Sequence, residues 1–469
     1  MSDSSSPAAG FGPGPQDASE AERWTHTARR RRLLYSRHED DVRDAIKAHV
    51  GGERAKVWGH PDRSANPYLS LWEQSARMYA EPPEIRGMGL TVQAAAAAGL
   101  WSLMQRVQRD TLGLREMAVA VELVDGRPVY YPMFPDQLEG RAAPGDPGQP
   151  VVLTHTREEP GLGWVRVTWS IEDPANPYYE ARKVRQSVTA DQFGDEEDVS
   201  RQVLGGEFHC QAYPFRDASG APIMPVVFYH AAETASLWDP YTGQEIVEGS
   251  ILLGIYLTYF GHVIRTSAWA QRYAAGVDLG VDEVNADAGD ASPTREIIPD
   301  PSRVLLLRAD DEQAGQIIIG QWAPPVDPLQ LIQAIRIYAD WLVQAAGLRT
   351  DVTKQSSDIR SGYSLAVARD AIREAQRVYE PLFARADTRL LTVTAQLLGQ
   401  PVEDLRITYR GLAVSPQERR ALIDEVTSLR DAKLMSRVEA WQRLHPGASD
   451  SEARTALAEI DAESKETAA

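Results

Sequence analysis

Few residues in this sequence have the types and spacing that catalysis requires. His209 precedes Cys210, the single cysteine, and is the one histidine adjacent to a thiol. Neighbouring residues on a strand point to opposite faces, so this pair is typical of a buried thiol beside a partly exposed imidazole. The adjacent carboxylates Glu196-Glu197 and Asp310-Asp311 are typical of solvated turns. No other carboxylate is placed to form with them the pair that a glycosidase needs. We therefore expect no catalytic residues and no enzymatic activity.

Cofactor and metal sites are not indicated either. The sequence has no glycine-rich phosphate-binding loop and no Gly-x-Ser-x-Gly turn. The 9 histidines are isolated from one another, between His26 and His445, so none forms a helical metal-binding pair. One cysteine allows neither an intrachain disulfide nor a cysteine-based metal cluster. We expect no metal and no cofactor.

The charge balance limits the ways in which this chain could meet nucleic acid. With 49 Lys and Arg against 67 Asp and Glu, the formal net charge is -18. A general basic surface that binds phosphates is therefore not expected, although DNA that passes without being held is compatible with this charge. The basic run Arg29 to Arg32 has two interpretations, a solvated helix face or a nucleic-acid contact. Residues 1–20 are typical of a disordered tail, and the apolar run at residues 251–264 is too short to predict a membrane span.

Two long helices are predicted on either side of a small β-rich segment. The first covers residues 246–275, and the second follows Asp327 as N-cap and Pro328 in the first turn. The segment between them, residues 277–325, begins with an acidic run and contains two predicted strands at residues 303–308 and 316–321. This order predicts a helix, a small β module and a second helix.

A polar loop and a much longer helix follow. Residues 348–362 are almost all polar and predict a mobile surface loop. Apolar residues then recur at helical spacing from Leu365 to Leu397, which predicts one helix of unusual length. Pro381 lies inside this stripe without changing its phase, so we expect a kink there and not a break.

The remaining sequence predicts a β-rich region between helical segments. Residues 21–49, 67–80 and 91–111 have helical patterns, and residues 117–230 change to a period of two. Asp125-Gly126 is a strong hairpin-turn signal between two strands. Residues 405–409 predict another strand, and residues 415–429, 435–444 and 449–462 predict helices. The fold class is therefore α+β.

The order of these elements resembles the portal protein of tailed bacteriophages, of the siphophage type. The resemblance is carried by Val326-Asp327-Pro328 and its helix, by Ser361-Gly362-Tyr363-Ser364-Leu365 at the start of the long helix, and by a C-terminal pattern. That pattern runs from Ile407 through Leu434-Met435-Ser436 to His445-Pro446, Asp450 and Glu452. Each motif is short, so the resemblance depends on their order over residues 21–462.

The resemblance implies a portal-type fold with long stem helices, a kinked tunnel helix, a β-rich wing, a small α/β clip and a helical crown. The implied segments are a tail (1–20), wing (21–236), first stem helix (237–276), clip (277–325), second stem helix (326–347), tunnel loop (348–362), kinked helix (363–399), wing strand (400–414), crown (415–462) and acidic tail (463–469).

The resemblance also implies a function. Portal proteins form a dodecameric ring at one capsid vertex, through which double-stranded DNA is packaged and later ejected. The implied partners are other copies of the chain, DNA, the terminase large subunit, a head-tail adaptor, scaffold and major capsid protein. The implied location is the virion, after synthesis in the host bacterial cytoplasm, with no membrane involved.

Specific residues follow from these segments. The implied DNA-facing residues of the tunnel loop are Arg349, Lys354, Ser356 and Arg360. The implied residues for partner docking at the clip are Asp278, Asp282, Glu283, Asp310, Asp311 and Glu312. Both sets also have a simpler interpretation, because charged loop residues and acidic clusters are common means of solvation.

Two other functions stay open from the sequence. An α+β hydrolase with an unfamiliar site would have converging titratable groups in a pocket of one chain and would be a stable monomer. Another ring-forming head-completion adaptor would self-associate but would lack the helix, β module and helix order.

Overall fold

The computed structural model describes residue 15 and residues 20–87, 99–184, 197–204, 213–239, 242–268, 271–275, 304–307, 318–322, 327–345, 362–401, 405–409, 416–445 and 450–467. The chain divides into two compact units. The first comprises Met1–Ala28, Trp72–Thr242 and Asp351–Ala469, and the second comprises Arg29–Leu71 and Gly243–Thr350.

Helices and strands both contribute to the described residues, which confirms the α+β class. The helices are α1 (Ala21–Leu34), α2 (Glu39–Val50), α3 (Gly52–Trp58), α4 (Pro67–Ser75), α5 (Trp101–Leu114), α6 (Ser200–Val203), α7 (Gln244–Ala268), α8 (Pro328–Ala345), α9 (Gly362–Leu397), α10 (Pro416–Asp431), α11 (Arg437–Leu444) and α12 (Asp450–Thr467). The strands are β1 (Glu84–Arg86), β2 (Glu116–Val124), β3 (Arg127–Met133), β4 (Leu138–Ala143), β5 (Asp146–Glu159), β6 (Gly163–Ser170), β7 (Tyr178–Lys183), β8 (Glu197–Asp198), β9 (Val226–His230), β10 (Gln271–Ala275), β11 (Val304–Leu307), β12 (Ile318–Trp322) and β13 (Arg406–Thr408).

The described residues of the first unit form three antiparallel sheets, with strand orders β4-β5-β6-β7-β8, β3-β2-β9 and β1-β13. The hairpin between β2 and β3 turns at Asp125 and Gly126, whose φ angles of 51° and 72° are both positive, as its predicted turn requires. The side-chain amide of Gln149 on β5 donates to the Phe228 carbonyl and accepts from the Phe228 amide, both at 3.1 Å, and so links two sheets.

The core of the first unit forms where these sheets present apolar side chains to each other. Leu153, Val165, Val167 and Trp169 are fully buried on β5 and β6, and Phe228 on β9 packs in the same cluster. Alternation along β6 explains this, because every second residue faces the core.

The second unit is organised around α7. Helix α8 packs against α7 in the antiparallel direction, and α2 packs on another part of α7. Asp327 caps α8 as predicted, with its Oδ1 accepting a hydrogen bond of 2.9 Å from the Leu329 amide. The sheet of this unit has the order β11-β10-β12, with β10 parallel to β11 and antiparallel to β12.

Two helix predictions were wrong at their C-terminal ends, and one predicted helix is divided in two. The predicted helix at residues 246–275 stops at Ala268, because residues 271–275 form β10 and pair with two strands. The predicted helix at residues 21–49 is divided into α1 and α2 by a turn in which Ser36 has a φ of 53°. The predicted helix at residues 67–80 stops at Ser75.

The predictions for the other elements agree more closely with the structure. The strands predicted at residues 303–308 and 316–321 are present as β11 and β12, within two residues. Helix α12 continues to Thr467, five residues beyond the predicted end. The part of the predicted helix at residues 91–111 that precedes residue 99 lies outside the described residues.

Substitution by alanine is expected to have opposite effects on stability at two glycines of α7, Gly254 and Gly261. A Cβ atom at Gly254 would lie 2.8 Å from Val42 Cγ2 and 3.0 Å from the Asp62 carbonyl oxygen, whereas Gly261 has open space. Alanine gains about 1 kcal/mol of helix propensity at either position, but overpacking at Gly254 costs about 1–3 kcal/mol. We expect Gly254→Ala to lower, and Gly261→Ala to raise, the urea midpoint followed by tryptophan fluorescence. Equal stabilisation by both substitutions would contradict the close approach of α2 to α7.

Candidate functional site

Most of the predicted site residues lie outside the described part of the chain. These are the tunnel-loop residues Arg349, Lys354, Ser356 and Arg360, the clip residues Asp278, Asp282, Glu283, Asp310, Asp311 and Glu312, and the pair His209 and Cys210. Their roles stay predictions.

The basic run Arg29 to Arg32 is used within the chain. Arg32 donates two hydrogen bonds to the Asp41 carboxylate, at 2.7 Å and 2.6 Å, and Arg29 lies 4.0 Å from the same carboxylate. The Arg30 side chain is buried, with 3% exposure. A solvated helix face is therefore wrong as an interpretation of this run, because Arg30 is buried and Arg32 is bound to Asp41 of α2.

Helix α9 continues through Pro381 as one element of 36 residues, which confirms the predicted length. The kink itself stays a prediction. Beyond the proline, Phe383, Leu390 and Leu391 of this helix are buried. The part of α9 that follows Pro381 is therefore a core helix of the first unit.

The α7–α8 pair has a tightly packed inner side. Gly249 leaves room for Leu342, because a Cβ atom there would lie 2.2 Å from Leu342 Cδ2. The Tyr256 and Tyr338 rings meet edge to face, with centroids 5.6 Å apart and an interplanar angle of 77°. Ile335 is buried on the same side of α8. These contacts hold the two helices side by side.

The outer side of α8 carries three exposed large apolar side chains among polar ones such as Gln333 and Arg336. Leu329, Ile337 and Trp341 lie on one stripe, at spacings of eight and four residues, and are 70%, 51% and 64% exposed. We call these three residues the α8 outer stripe. Large apolar side chains that are exposed together on one element mark an interaction surface more often than a plain solvent face.

Helix α7 is also apolar, but much of it is buried within the second unit. It is long and apolar enough over Gln244–Arg265, 22 residues, to cross a membrane by length and composition, and 56% of an 18-residue window within this stretch is buried. The prediction against a membrane span considered residues 251–264 only, and the apolar helix is longer than that run. Tyr256 and Ile264 are 38% and 43% exposed on this helix.

A fully buried carboxylate lies on α9 in the first unit. Asp387 has 0% exposure and accepts hydrogen bonds from three tyrosine hydroxyls. The donors are Tyr79 at 2.7 Å, Tyr229 at 2.8 Å and Tyr409 at 2.5 Å. We call these four residues the Asp387 cluster. Tyr79 also packs against Phe383, with ring centroids 6.2 Å apart.

Burial controls the ionisation of this cluster. It raises the pKa of Asp387 from 3.8 to about 6, against the three hydroxyl hydrogen bonds, which lower the pKa. Burial also raises the pKa of each tyrosine well above 10, and the neighbouring Asp387 charge adds to this. The tyrosines are therefore neutral hydrogen-bond donors at any physiological pH. Asp387 was not among the predicted site residues. The apolar residues Phe383, Leu390 and Leu391 near it on α9 indicate a buried helix face.

A groove of about 430 Å³ in the first unit brings titratable groups together. Arg385 pairs with Glu233 at 2.8 Å, and Arg389 pairs with Asp146, so that the charges of the groove are balanced. His230 lies beside the Gly148 carbonyl, with 3.0 Å between Nε2 and the oxygen, and burial lowers its pKa from 6.5.

The hydroxyl groups of this groove are not arranged for nucleophilic attack. Thr388 donates its proton to the Ala384 carbonyl at 2.7 Å, and Thr234 donates to the Ser236 carbonyl at 2.7 Å. A nucleophile needs a base that accepts its proton, and backbone carbonyls cannot serve as one. Among the described residues, no group of three or more His, Cys, Asp or Glu side chains could hold a metal ion.

Comparison with known proteins gave similarities to solved structures and none to a known sequence family. No protein-family model matches the sequence, and no curated protein matches it. A solved structure described as the neck of an empty GTA particle, computed with C6 symmetry, matches with a TM-score of 0.39 and 12% identity over 83% of this chain and 96% of that one. A similarity of this size supports no inference about function.

Proposed function

We propose that this chain is the subunit of a portal-type ring, a conduit for double-stranded DNA at one capsid vertex, and not an enzyme. The observation that carries the proposal is the arrangement of α7, the β10–β12 sheet and α8. The small sheet lies in the chain between two long helices that pack against each other in one compact unit. Helix α9, with 36 residues and an internal proline, then follows as the resemblance requires.

Exposed apolar surface on the α7–α8 pair supports self-association. The α8 outer stripe and the exposed side chains of Tyr256 and Ile264 on α7 would cost free energy in water, at about 25 cal/mol for each Å² left exposed. Packing between copies would remove this cost. In a closed ring each copy contacts one neighbour on either side, so every such surface is covered. A dodecamer is the ring size that the resemblance implies.

The charge of the chain supports a conduit more than a clamp. A net charge of -18 per copy would be repeated around the ring, so a passing polyanion would not be held by a general basic surface. In this proposal Arg349, Lys354 and Arg360 make weak phosphate contacts, with Ser356 beside them.

The acidic segment at residues 277–325 is the proposed docking site for partners. Its charge suits basic surfaces of the terminase large subunit during packaging and of the head-tail adaptor afterwards. Scaffold and major capsid protein would meet other parts of the ring in the virion. A different ring-forming adaptor would share the self-association, but would not need the helix, sheet and helix order.

The mass of the purified protein in solution tests this proposal. We expect native mass spectrometry to give species of about twelve or thirteen copies, and negative-stain images to show rings with an open centre. A monomer that does not assemble at high concentration would overturn the proposal. It would direct attention to the groove at His230 as a candidate enzyme site.

A further inference from the structure

The Asp387 cluster joins segments that are far apart in the sequence. Tyr79 follows α4, Tyr229 lies on β9, and Tyr409 directly follows β13. Each donates to the same carboxylate, so the part of α9 after Pro381 is attached to three other parts of the first unit through one residue. Trp101 of α5 stacks on Tyr79, with centroids 5.9 Å apart, and extends the attachment to a fifth element.

The partners of this carboxylate are neutral. Among the described residues, the hydrogen-bond donors to Asp387 are hydroxyl groups and not the ammonium or guanidinium groups that normally accompany a buried charge. The other titratable groups that act on the cluster are Glu380 of α9, near Tyr409, and Tyr130 of β3, near Tyr229. Tyr130 is itself hydrogen-bonded to Thr394, at 3.1 Å. None of these groups compensates the negative charge.

We infer that Asp387 is a proton-binding site, and that its protonation tightens the attachment of α9 to the sheets of the first unit. A buried carboxylate without a cation is stabilised by a proton, which removes the charge and leaves a carboxyl group that can still accept and donate hydrogen bonds. The attachment is therefore tighter in acid than at neutral pH.

The sign of the pH dependence follows from the direction of the pKa. The pKa of Asp387 is about 6 when α9 is packed and 3.8 when the carboxyl group is in solvent. The stabilising contribution is thus fully present below pH 3.8 and is lost as the pH rises through 6. Between pH 5 and pH 8, the equilibrium constant for opening of α9 rises about tenfold from this group alone.

Hydrogen–deuterium exchange of the full-length protein tests the inference. Protection of peptides from α9, β9 and β13 is measured at several values between pH 5 and pH 8 and corrected for the intrinsic pH dependence of exchange. We expect wild-type protection to fall about tenfold over this range, and Asp387→Asn to show less than about a twofold change, because its amide cannot titrate. Identical pH profiles for the two proteins would overturn the inference.

A second variant separates proton binding from a purely structural role. Tyr409→Phe removes a hydroxyl that stabilises the ionised carboxylate, so the midpoint of the protection change should move to higher pH by up to about one unit. Tyr213→Phe is the matched control, because the Tyr213 hydroxyl donates to the Ile223 carbonyl at 2.7 Å and not to Asp387. The inference fails if Tyr409→Phe moves the midpoint to lower pH or no further than Tyr213→Phe does.

Discussion

Replacement of Ile337 and Trp341 by glutamate is expected to convert the proposed rings into monomers. The two side chains are 51% and 64% exposed in one chain, so the double variant should fold, while every contact between copies at this surface would lose apolar area and gain two charges. Full burial of one such side chain contributes about 1.5–3 kcal/mol, and a closed ring loses this at each of its contacts. Native mass spectrometry measures the result directly.

A matched double variant controls for the added charge. Val124 and Val129 are 52% and 44% exposed on the β2–β3 hairpin, so Val124→Glu with Val129→Glu adds two glutamates at exposed apolar positions elsewhere. This control should assemble like the wild type. If Ile337→Glu with Trp341→Glu also assembles normally, the α8 outer stripe is not a contact between copies, although the ring proposal itself would stand.

Loss of Arg23 is expected to destabilise the first unit strongly. The side chain is 4% exposed, its guanidinium donates to the Pro135 carbonyl at 2.8 Å and lies 3.7 Å above the Trp238 ring, and it pairs with Glu20. Hydrogen bonds from a buried charged group contribute about 1.5–3 kcal/mol, and a desolvated cation–π contact about 2 kcal/mol. Arg23→Met keeps the length of the side chain and should reduce the free energy of unfolding by about 3–5 kcal/mol.

An exposed arginine provides the comparison. The Arg43 side chain is 42% exposed and pairs with Glu39 at 2.7 Å on the surface of α2. Such pairs contribute less than about 1 kcal/mol, so Arg43→Met should leave the urea midpoint nearly unchanged. Similar midpoints for the two variants would mean that the Arg23 contacts do not stabilise the first unit.

Local chemistry explains which elements were predictable. The turn at Asp125-Gly126 and the cap at Asp327 are determined by side chains within a few residues, and both are present as predicted. Strand β10 was missed because Gln271, Arg272 and Ala275 favour a helix in isolation. Its conformation is determined by pairing with β11 and β12, which no local pattern reveals.

The Asp387 cluster shows the same limit at the level of a site. The burial of Asp387 could be predicted from the apolar residues around it on α9. Its partners could not, because Tyr79, Tyr229 and Tyr409 are separated from Asp387 by 308, 158 and 22 residues. Single tyrosines at such distances form no spacing pattern, and only the tertiary fold brings them together.

The pairing of β1 with β13 has a consequence for synthesis of the chain. Glu84 is opposite Thr408, so β1 cannot pair with β13 until the chain has been synthesised as far as residue 408. Closing so long a loop is entropically costly and slows folding. The first unit therefore cannot reach its final form before residues 406–408 have been synthesised.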